Sequence, residues 1–278
     1  MATTSLASSA GSLVGHVWSL SLHPEGCRQV QDAFLDNDTT DRERELMAQE
    51  FYGKAIKAMR DPHANHVLQR CIETMPPVAL QFMFDELVNS EGGVKRVATH
   101  RYGHRIIQQL LRKCRAPQTN GLVEDLLQHG VALACHNYGA YAVQHVLLFG
   151  TMDQQYRMLR IIEQNVESIC ETPAGHGVIA AALEYAPSDD RVWAARAVLK
   201  SKQGRELLFQ LAGSRHGHGA VLRIISVLQG SERMQAVQAL EAGMADLQAS
   251  RFGRKVAARL EALCGTDADG SHAADCCM

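Results

Sequence analysis

Apolar positions along the chain recur at helical spacing, in a phrase that returns every 36 to 42 residues. A copy has a Gly or Ala, two variable residues, two residues that are apolar in all but the first copy, and often a Gln, as in 103–108 and 139–144. The apolar residues that follow lie three and four positions apart, which predicts a helix rather than a strand. Seven copies align on the small residue, here called the anchor: Gly26, Ala64, Gly103, Gly139, Gly175, Gly217 and Gly253. We expect each anchor to follow a tight turn, where a residue without Cβ fits best.

Two further kinds of helix are predicted between these motif helices. Longer apolar-periodic runs, such as 78–88, 122–127 and 156–162, follow the motif, and shorter ones, such as 94–98 and 131–134, precede each anchor. Asp41, Ser231 and the pair Pro76-Pro77 stand where longer helices should begin. Since no stretch alternates like a strand, the fold class predicted is all-α.

Repeats of this length, placed back to back, are typical of a solenoid. We therefore predict a right-handed, curved superhelix of about seven three-helix repeats over residues 12–264. A disordered segment over 1–11 and a flexible tail over 265–278 would flank it. The motif helices are expected near residues 26–36, 64–74, 103–114, 139–149, 175–186, 217–229 and 253–263.

Charge is unevenly distributed, although the net charge is only −2. Residues 94–116 include seven basic residues and no acidic one, and the last motif is also basic. Acidic pairs such as Asp85-Glu86 fall in the connecting segments. If motif helices line one face, that face is basic and the opposite face acidic, which is the electrostatic pattern of nucleic-acid binding. The alternative is that these charges only keep a helical surface soluble.

Other classes of function find little support. No apolar run reaches the length of a membrane span, and residues 1–11 lack the basic region of a secretory signal. The eight cysteines show no pairing pattern, which favours reduced thiols in an intracellular protein. Histidines recur with the repeat, and His216 and His218 have no Cys or carboxylate beside them for a zinc site. We therefore expect no enzyme activity, no metal and no cofactor.

The motif phrases resemble the helix of Pumilio-type (PUF) repeats. The resemblance runs over 13–264 and is carried by Gly-Cys-Arg-Gln-Val-Gln from Gly26, Ala-Asn-His-Val-Leu-Gln from Ala64, and the copies at Gly103 and Gly139. In that family, the first residue after the anchor and the one four further on hydrogen-bond the Watson–Crick edge of one RNA base. The second residue after the anchor stacks on the bases. We call these the first edge, second edge and stacking positions.

Carried over to this chain, the resemblance assigns twelve residues to RNA contacts. In the order first edge, stacking and second edge, these are Cys27, Arg28 and Gln31; Asn65, His66 and Gln69; His104, Arg105 and Gln108; and Ala140, Tyr141 and Gln144. The first set resembles the family's adenine sites and the second its uracil sites. His104 leaves the third base open, and Ala140 makes no hydrogen bond, so selectivity at the fourth should be loose.

The last three copies depart from the family pattern. The fifth has His176, Gly177 and Ala180 at these positions; the sixth has His218, Gly219 and Leu222; the seventh has Arg254, Lys255 and Ala258. Gly cannot stack, and Ala and Leu cannot hydrogen-bond a base edge. Because family members bind RNA antiparallel, the 5′ UGU element that their C-terminal repeats hold should not be recognised here. Arg254 and Lys255 remain candidates for phosphate contacts.

The resemblance thus implies sequence-selective binding of single-stranded mRNA by a monomer, with preference 5′-N-N-U-A-3′ and a role in translation or mRNA stability. A protein effector would bind the convex face or the C-terminal repeats. We expect a cytoplasmic protein, with the nucleolus as the other location. Two alternatives stay open: sequence-independent RNA binding in ribosome assembly, and a protein-binding α-solenoid.

Overall fold

The structure, a computed structural model, describes residues 9–269 and their side chains over 10–263. Every regular element in this range is a helix, so the all-α prediction is confirmed for the described residues. No helix within the range has both the length and the apolar character needed to cross a bilayer. Most of the segment predicted as disordered (1–8) and most of the predicted tail (270–278) lie outside the described residues.

The helices follow one another with short connections. The first ten are α1 (Ser9–Leu13), α2 (Val17–Ser21), α3 (Pro24–Leu35), α4 (Asp41–Gln49), α5 (Ala55–Arg60), α6 (Ala64–Thr74), α7 (Gln81–Asn89), α8 (Gly93–Ala98), α9 (Gly103–Lys113) and α10 (Asn120–Gln128), with a 3-10 turn at Pro77–Leu80. The others are α11 (Gly130–Ala134), α12 (Gly139–Phe149), α13 (Met152–Gln164), α14 (Val166–Cys170), α15 (Pro173–Tyr185), α16 (Ser188–Lys200), α17 (Gly204–Gly213), α18 (His218–Val227), α19 (Gly230–Glu241), α20 (Met244–Ala249) and α21 (Gly253–Asp269).

Short, motif and connecting helices alternate in this order through six copies, beginning with α2, α3 and α4, and the seventh copy has the short helix α20 and the motif helix α21. Four motif helices begin at their anchor, whereas α3 and α15 begin two residues earlier at Pro24 and Pro173. Proline is favoured at the first helical position because it has no N–H to leave unpaired. The last helix continues to Asp269, so the first residues of the predicted tail are helical.

The described residues form two compact units, although one repeat domain was predicted. The first unit comprises the residues up to His129 together with 141–154, and the second comprises 130–140 together with the residues from Gln155 onward. In the first unit, α3 packs on α6 and α6 on α9; in the second, α15 packs on α18 and α18 on α21. Repeat proteins bury their cores between neighbouring copies, so each unit has a core of its own.

The apolar residues that follow the variable pair of the motifs form these cores. Val67, Leu68, Ile106 and Ile107 are fully buried in the first unit. In the second unit the corresponding residues are also buried: Val178, Ile179, Ala220, Val221, Val256 and Ala257. The scaffold residues therefore continue through the copies whose base-contacting positions are changed.

The anchor glycines are required by close packing rather than by a turn conformation, because none has a positive φ. A Cβ built on Gly26 or on Gly103 would lie 2.5 Å from the carbonyl oxygen of Leu20 or Val97, the residue six positions earlier. The other four anchor glycines also approach the carbonyl oxygen of the residue six earlier. Each anchor glycine thus allows a motif helix to pack directly on its preceding short helix.

Two glutamates at or near the end of connecting helices cap the short helix of their own copy. The carboxylate of Glu50 accepts hydrogen bonds from Gly15 N at 2.6 Å and Trp18 N at 3.1 Å. Glu86 does the same for Gly53 N at 2.6 Å and Ala55 N at 2.8 Å. Gly15 and Gly53 have φ of 93° and 71°, which few residues other than glycine adopt. The acidic pair Asp85-Glu86, expected to be a surface feature, therefore has one structural member.

The start of α4 differs from the prediction. Thr40, rather than Asp41, caps the helix: its Oγ1 accepts from Glu43 N at 3.2 Å, and its own N donates to the Glu43 carboxylate at 2.8 Å. This reciprocal arrangement is a capping box. Ser231 likewise lies inside α19, which begins at Gly230.

Candidate nucleic-acid interface

The stacking positions of the first unit form an exposed row. Arg28, His66 and Arg105 lie at the same place on α3, α6 and α9, which pack side by side, and all three side chains are exposed. Burial lowers the pKa of His66, and the nearby charge of Arg105 lowers it further. The row therefore presents two guanidinium groups and an imidazole that is neutral near pH 7.

Tyr141 adds a fourth planar group to this unit. Its ring, 41% exposed, stacks on that of His104, with centroids 5.4 Å apart and planes at 25°. His104 Nδ1 lies 3.0 Å from His100 O. Burial lowers the pKa of His104, and Arg105 also lowers it. His104 therefore acts as a neutral ring that supports one face of Tyr141.

The first edge positions are buried. Cys27, Asn65, His104 and Ala140 are 4%, 0%, 7% and 3% exposed. Three of these side chains bond a carbonyl oxygen three or four residues earlier: Cys27 Sγ to Pro24 O at 3.2 Å, Asn65 Nδ2 to Asp61 O at 2.7 Å, and His104 to His100 O. These residues thus satisfy the turn that leads into the motif helix. The accessible polar atoms of each copy belong instead to the second edge Gln.

Two second edge glutamines are held in place by hydrogen bonds. Gln31 Nε2 donates to Cys27 O at 3.1 Å, and Gln69 Nε2 donates to Asn65 Oδ1 at 2.9 Å. No hydrogen bond of the Gln108 side chain is seen within the described residues, and Gln144 is half-buried. The amides of copies one and two are therefore oriented by hydrogen bonds within their own motif helix.

Two residues of this region were not predicted. Gln109, beside Gln108 on α9, donates from Nε2 to Gln69 Oε1 at 3.2 Å. Asp61 accepts from Ala64 N through Oδ1 at 2.9 Å and from Asn65 through its carbonyl oxygen. The turn-forming pair Asp61-Pro62 is a sequence signal for the second of these. No sequence signal distinguishes Gln109, because its role depends on the packing of α9 against α6.

The basic stretch 94–116 does not form one row. Arg105 belongs to the row of stacking positions, whereas Lys95 and Arg96 are exposed on the short helix α8. Arg101 lies over the ring of Tyr102, with its Cζ 4.7 Å from the centroid. Lys113 donates from Nζ to Glu73 O at 2.9 Å. The stretch therefore gives a broad positive surface around the row rather than a linear series of contacts.

In the second unit, most of the positions that align with the first edge, stacking and second edge positions lack a group for a base edge or for stacking. His176 is 7% exposed, with Nε2 2.7 Å from Cys170 O. His218 bonds Ser214 O at 3.3 Å and stacks on Phe252 with centroids 5.4 Å apart. The remaining positions are half-buried or exposed and lack a group for a base edge or for stacking: Gly177, Ala180, Gly219, Leu222 and Ala258. The described residues contain no group of three His, Cys, Asp or Glu side chains arranged to hold a metal ion.

Arg254 and Lys255 are exposed basic residues at the start of this unit's last motif helix, and Arg259 is exposed further along it. Arg251, just before the anchor Gly253, places its Cζ 5.6 Å from the centroid of the Phe252 ring. A positive edge remains at α21, without the planar row of the first unit.

Comparison with known proteins agrees with these features. The model of the Pumilio-family RNA binding repeat matches residues 59–88, 94–127 and 129–163. Pumilio homolog 12 of Arabidopsis thaliana is 22% identical over 248 residues, covering 88% of this chain and 40% of that protein. Putative pumilio homolog 8, chloroplastic, of the same plant is 29% identical over 133 residues, 48% of this chain and 25% of that protein. The chain thus spans less than half the length of these relatives.

Solved structures extend the similarity to the fold. PUF-8 in complex with PBE-RNA superposes with a TM-score of 0.75 at 20% identity, covering 90% of this chain and 72% of that one. The Puf3 RNA binding domain bound to a Cox17 RNA 3′ UTR site also gives a TM-score of 0.75, at 21% identity, covering 90% and 75%. Residues 59–163 thus contain three repeats that match the Pumilio family model, and the three-helix copies of the chain share the fold of the solved PUF domains.

Proposed function

We propose that this chain binds single-stranded RNA sequence-selectively through the motif helices of its first unit. The observation that carries the proposal is the exposed row of Arg28, His66, Arg105 and Tyr141, with a Gln one turn further along each motif helix. One planar group per repeat matches the arrangement in which unstacked bases lie on side-chain faces while their edges are hydrogen-bonded. Each base that stacks on such a face contributes about 1–3 kcal/mol.

The base preference we propose is 5′-N-N-U-A-3′ for repeats four to one. Repeat one takes adenine through Gln31 with Cys27, and repeat two takes uracil through Gln69 with Asn65. The hydrogen bonds that orient both amides support these two assignments. In repeat two Asn65 acts through Gln69, since the Asn65 side chain is buried. Repeats three and four, with Gln108 and Gln144 beside His104 and Ala140, discriminate weakly.

For the second unit we propose a different role in RNA binding. Arg254 and Lys255 are exposed on α21, and their proposed role is to contact phosphate, which would add affinity without adding base selectivity. Binding should therefore weaken as salt concentration rises.

At the level of the cell, we propose post-transcriptional control of mRNA by a cytoplasmic monomer, with a protein effector on the connecting helices or on the C-terminal repeats. Family resemblance supports this role, and the RNA-bound PUF structures support single-stranded RNA as the partner.

Selection from a random RNA pool, followed by titration at two salt concentrations, tests the proposal. We expect enrichment of a UA-containing motif that disappears when Gln31 and Gln69 are both replaced by Ala. Equal affinity for poly(U), poly(C) and the selected RNA would favour sequence-independent binding instead. If no RNA binds, the protein-binding solenoid is the remaining function.

Arg105→Ala tests the position of the row. Loss of a stacked guanidinium should weaken binding by roughly 1–3 kcal/mol, the value for one stacked base. Arg96→Ala is the matched control, since it removes the same charge from the same basic stretch but from the short helix α8. Equal losses for the two variants would mean that only net charge matters, and no loss for Arg105→Ala would place the RNA elsewhere.

A further inference from the structure

Three side-chain amides in the first unit are joined by a continuous series of hydrogen bonds. Asn65 Nδ2 donates to Asp61 O at 2.7 Å, and Gln69 Nε2 donates to Asn65 Oδ1 at 2.9 Å. Gln109 Nε2, from the neighbouring motif helix α9, donates to Gln69 Oε1 at 3.2 Å. This series of hydrogen bonds thus begins at a backbone carbonyl of one repeat and ends on the next repeat.

The donor-to-acceptor direction of this series is fixed by its first acceptor, the carbonyl oxygen of Asp61. A backbone carbonyl can only accept, so Asn65 must turn its NH₂ towards Asp61 and its Oδ1 towards Gln69. Gln69 must then offer its NH₂ to Asn65, which leaves its Oε1 facing Gln109. Turning any one amide by 180° would place two acceptors, or two donors, against each other. All three orientations therefore follow from one carbonyl.

The last amide of the series, Gln109, indicates why an amide is present at this position. Gln109 Oε1 is buried and has no hydrogen-bond partner in the described structure. An unpaired buried acceptor is unfavourable, so stability alone would favour an apolar side chain of similar size. The useful part of Gln109 is its donor, which contacts Gln69.

We propose that Gln109 is a specificity-determining residue for the base bound by repeat two, because it fixes Gln69 in the orientation that accepts uracil and rejects cytosine. This inference rests on the proposed function. It assigns base selectivity of one repeat to a positioning residue of the next, outside the three positions of the motif.

The chemistry of the two pyrimidines gives the reason. Once Asn65 and Gln109 are bonded, Gln69 keeps one N–H and one lone pair on Oε1. Uracil offers N3–H to the lone pair and a neighbouring carbonyl to the N–H. Cytosine has an acceptor at N3 and a donor at its amino group, so it needs the Gln69 amide turned by 180°. That turn would place Oε1 against Asn65 Oδ1 and Nε2 against the Nε2 of Gln109.

Gln109→Leu tests the proposal, because it keeps the volume and removes the donor. The measured quantity is the ratio of Kd for two RNAs that carry C or U opposite repeat two and are otherwise the selected sequence. We expect the preference for uracil to fall about fivefold, which corresponds to one net hydrogen bond of about 1 kcal/mol. The side-chain NH₂ signals of Gln69 in the NMR spectrum of the free protein should move as well.

Gln108→Leu is the matched control on the same helix. It should weaken binding through the base of repeat three, while the C-to-U ratio at repeat two stays at the wild-type value. Gln109→Glu is a second variant: its carboxylate only accepts, so it favours the turned orientation of Gln69. The uracil preference should then fall further than in Gln109→Leu.

The outcomes separate this inference from the proposed function. If the wild-type protein selects no RNA, both are overturned. If it selects uracil at repeat two, and folded Gln109→Leu and Gln109→Glu keep the wild-type ratio, the role of Gln109 alone is overturned. An equal fall in the ratio for Gln108→Leu would mean that α9 affects repeat two only through general packing, which also overturns it.

Discussion

Adding a single methyl group at the anchor of the third repeat should destabilise the chain. In Gly103→Ala, the new Cβ would lie 2.5 Å from Val97 O and 2.8 Å from Val97 Cγ1. Ordinary Cβ contacts begin at 3.4 Å, so α8 and α9 must separate by roughly 0.9 Å at this point. Both atoms belong to a buried residue, and one is backbone, so neither can rotate away.

The expected loss follows from two opposing contributions. Overpacking a well-packed core costs about 1–3 kcal/mol. Replacing Gly by Ala recovers about 0.4–1 kcal/mol, because the unfolded chain has less freedom to lose. The net loss is therefore about 1–2 kcal/mol, which should lower Tm by roughly 2–8 °C for a domain of this size. Thermal and urea unfolding followed by circular dichroism would measure it.

Gly219→Ala is the matched control, with the same substitution near the start of another motif helix. The nearest atom to its built Cβ is Arg223 Nη1 at 3.5 Å, the end of a flexible side chain. This variant should be as stable as the wild type or slightly more stable. If Gly103→Ala proved as stable as Gly219→Ala, close helix packing could not be the reason for glycine at the anchors.

Other perturbations test the caps, the buried histidines and the electrostatics. Glu86→Ala should cost about 1–2 kcal/mol, because two backbone N–H groups lose their acceptor, whereas Asp85→Ala should change urea unfolding little. Burial lowers the pKa of His176 from its ordinary value of 6.5, so the unfolded chain binds the proton more readily. Stability is therefore full above about pH 6.5 and falls as the pH drops towards the lower folded pKa. His176→Gln, which can still donate to Cys170 O, should show a shallower fall in Tm between pH 7.5 and 5.5. An unchanged slope would assign the fall to other groups. RNA affinity should fall steeply with salt concentration, and the salt slope should decrease in a variant with both Arg254 and Lys255 replaced by Ala. An unchanged slope would remove α21 from the phosphate contacts.

The repeat and its scaffold could be predicted from the sequence because both depend on the spacing of apolar residues close together in the chain. A helix buries residues three and four apart, so pairs such as Ile106 and Ile107 mark the buried side of each motif helix. The position of the anchor was predicted as well, but its cause was not. Sequence suggests a turn at a glycine, whereas the cause is a carbonyl six residues earlier.

The candidate site was only partly predictable, because its details depend on contacts between repeats. The motif pattern identifies Asn65 and Gln69 as a pair, but it does not indicate that Asn65 is buried and acts through Gln69. Gln109 reaches Gln69 across 40 positions of sequence, and no periodic signal marks it. The same holds for Glu86, which the sequence suggests is one of two surface acids, and which instead caps the short helix of its own copy.

The capping glutamates also define where this array can be cut or recombined. Glu50 bonds backbone groups 35 and 32 residues earlier, and Glu86 bonds groups 33 and 31 residues earlier. A fragment that ends between a short helix and its glutamate loses the acceptor for the start of that helix. The exchangeable modules of the first unit are therefore 15–50 and 53–86, out of phase with the anchor-to-anchor period. A chimera joined at the anchors keeps the apolar pairs and separates each cap from its glutamate, whereas one joined after Glu50 or Glu86 keeps both.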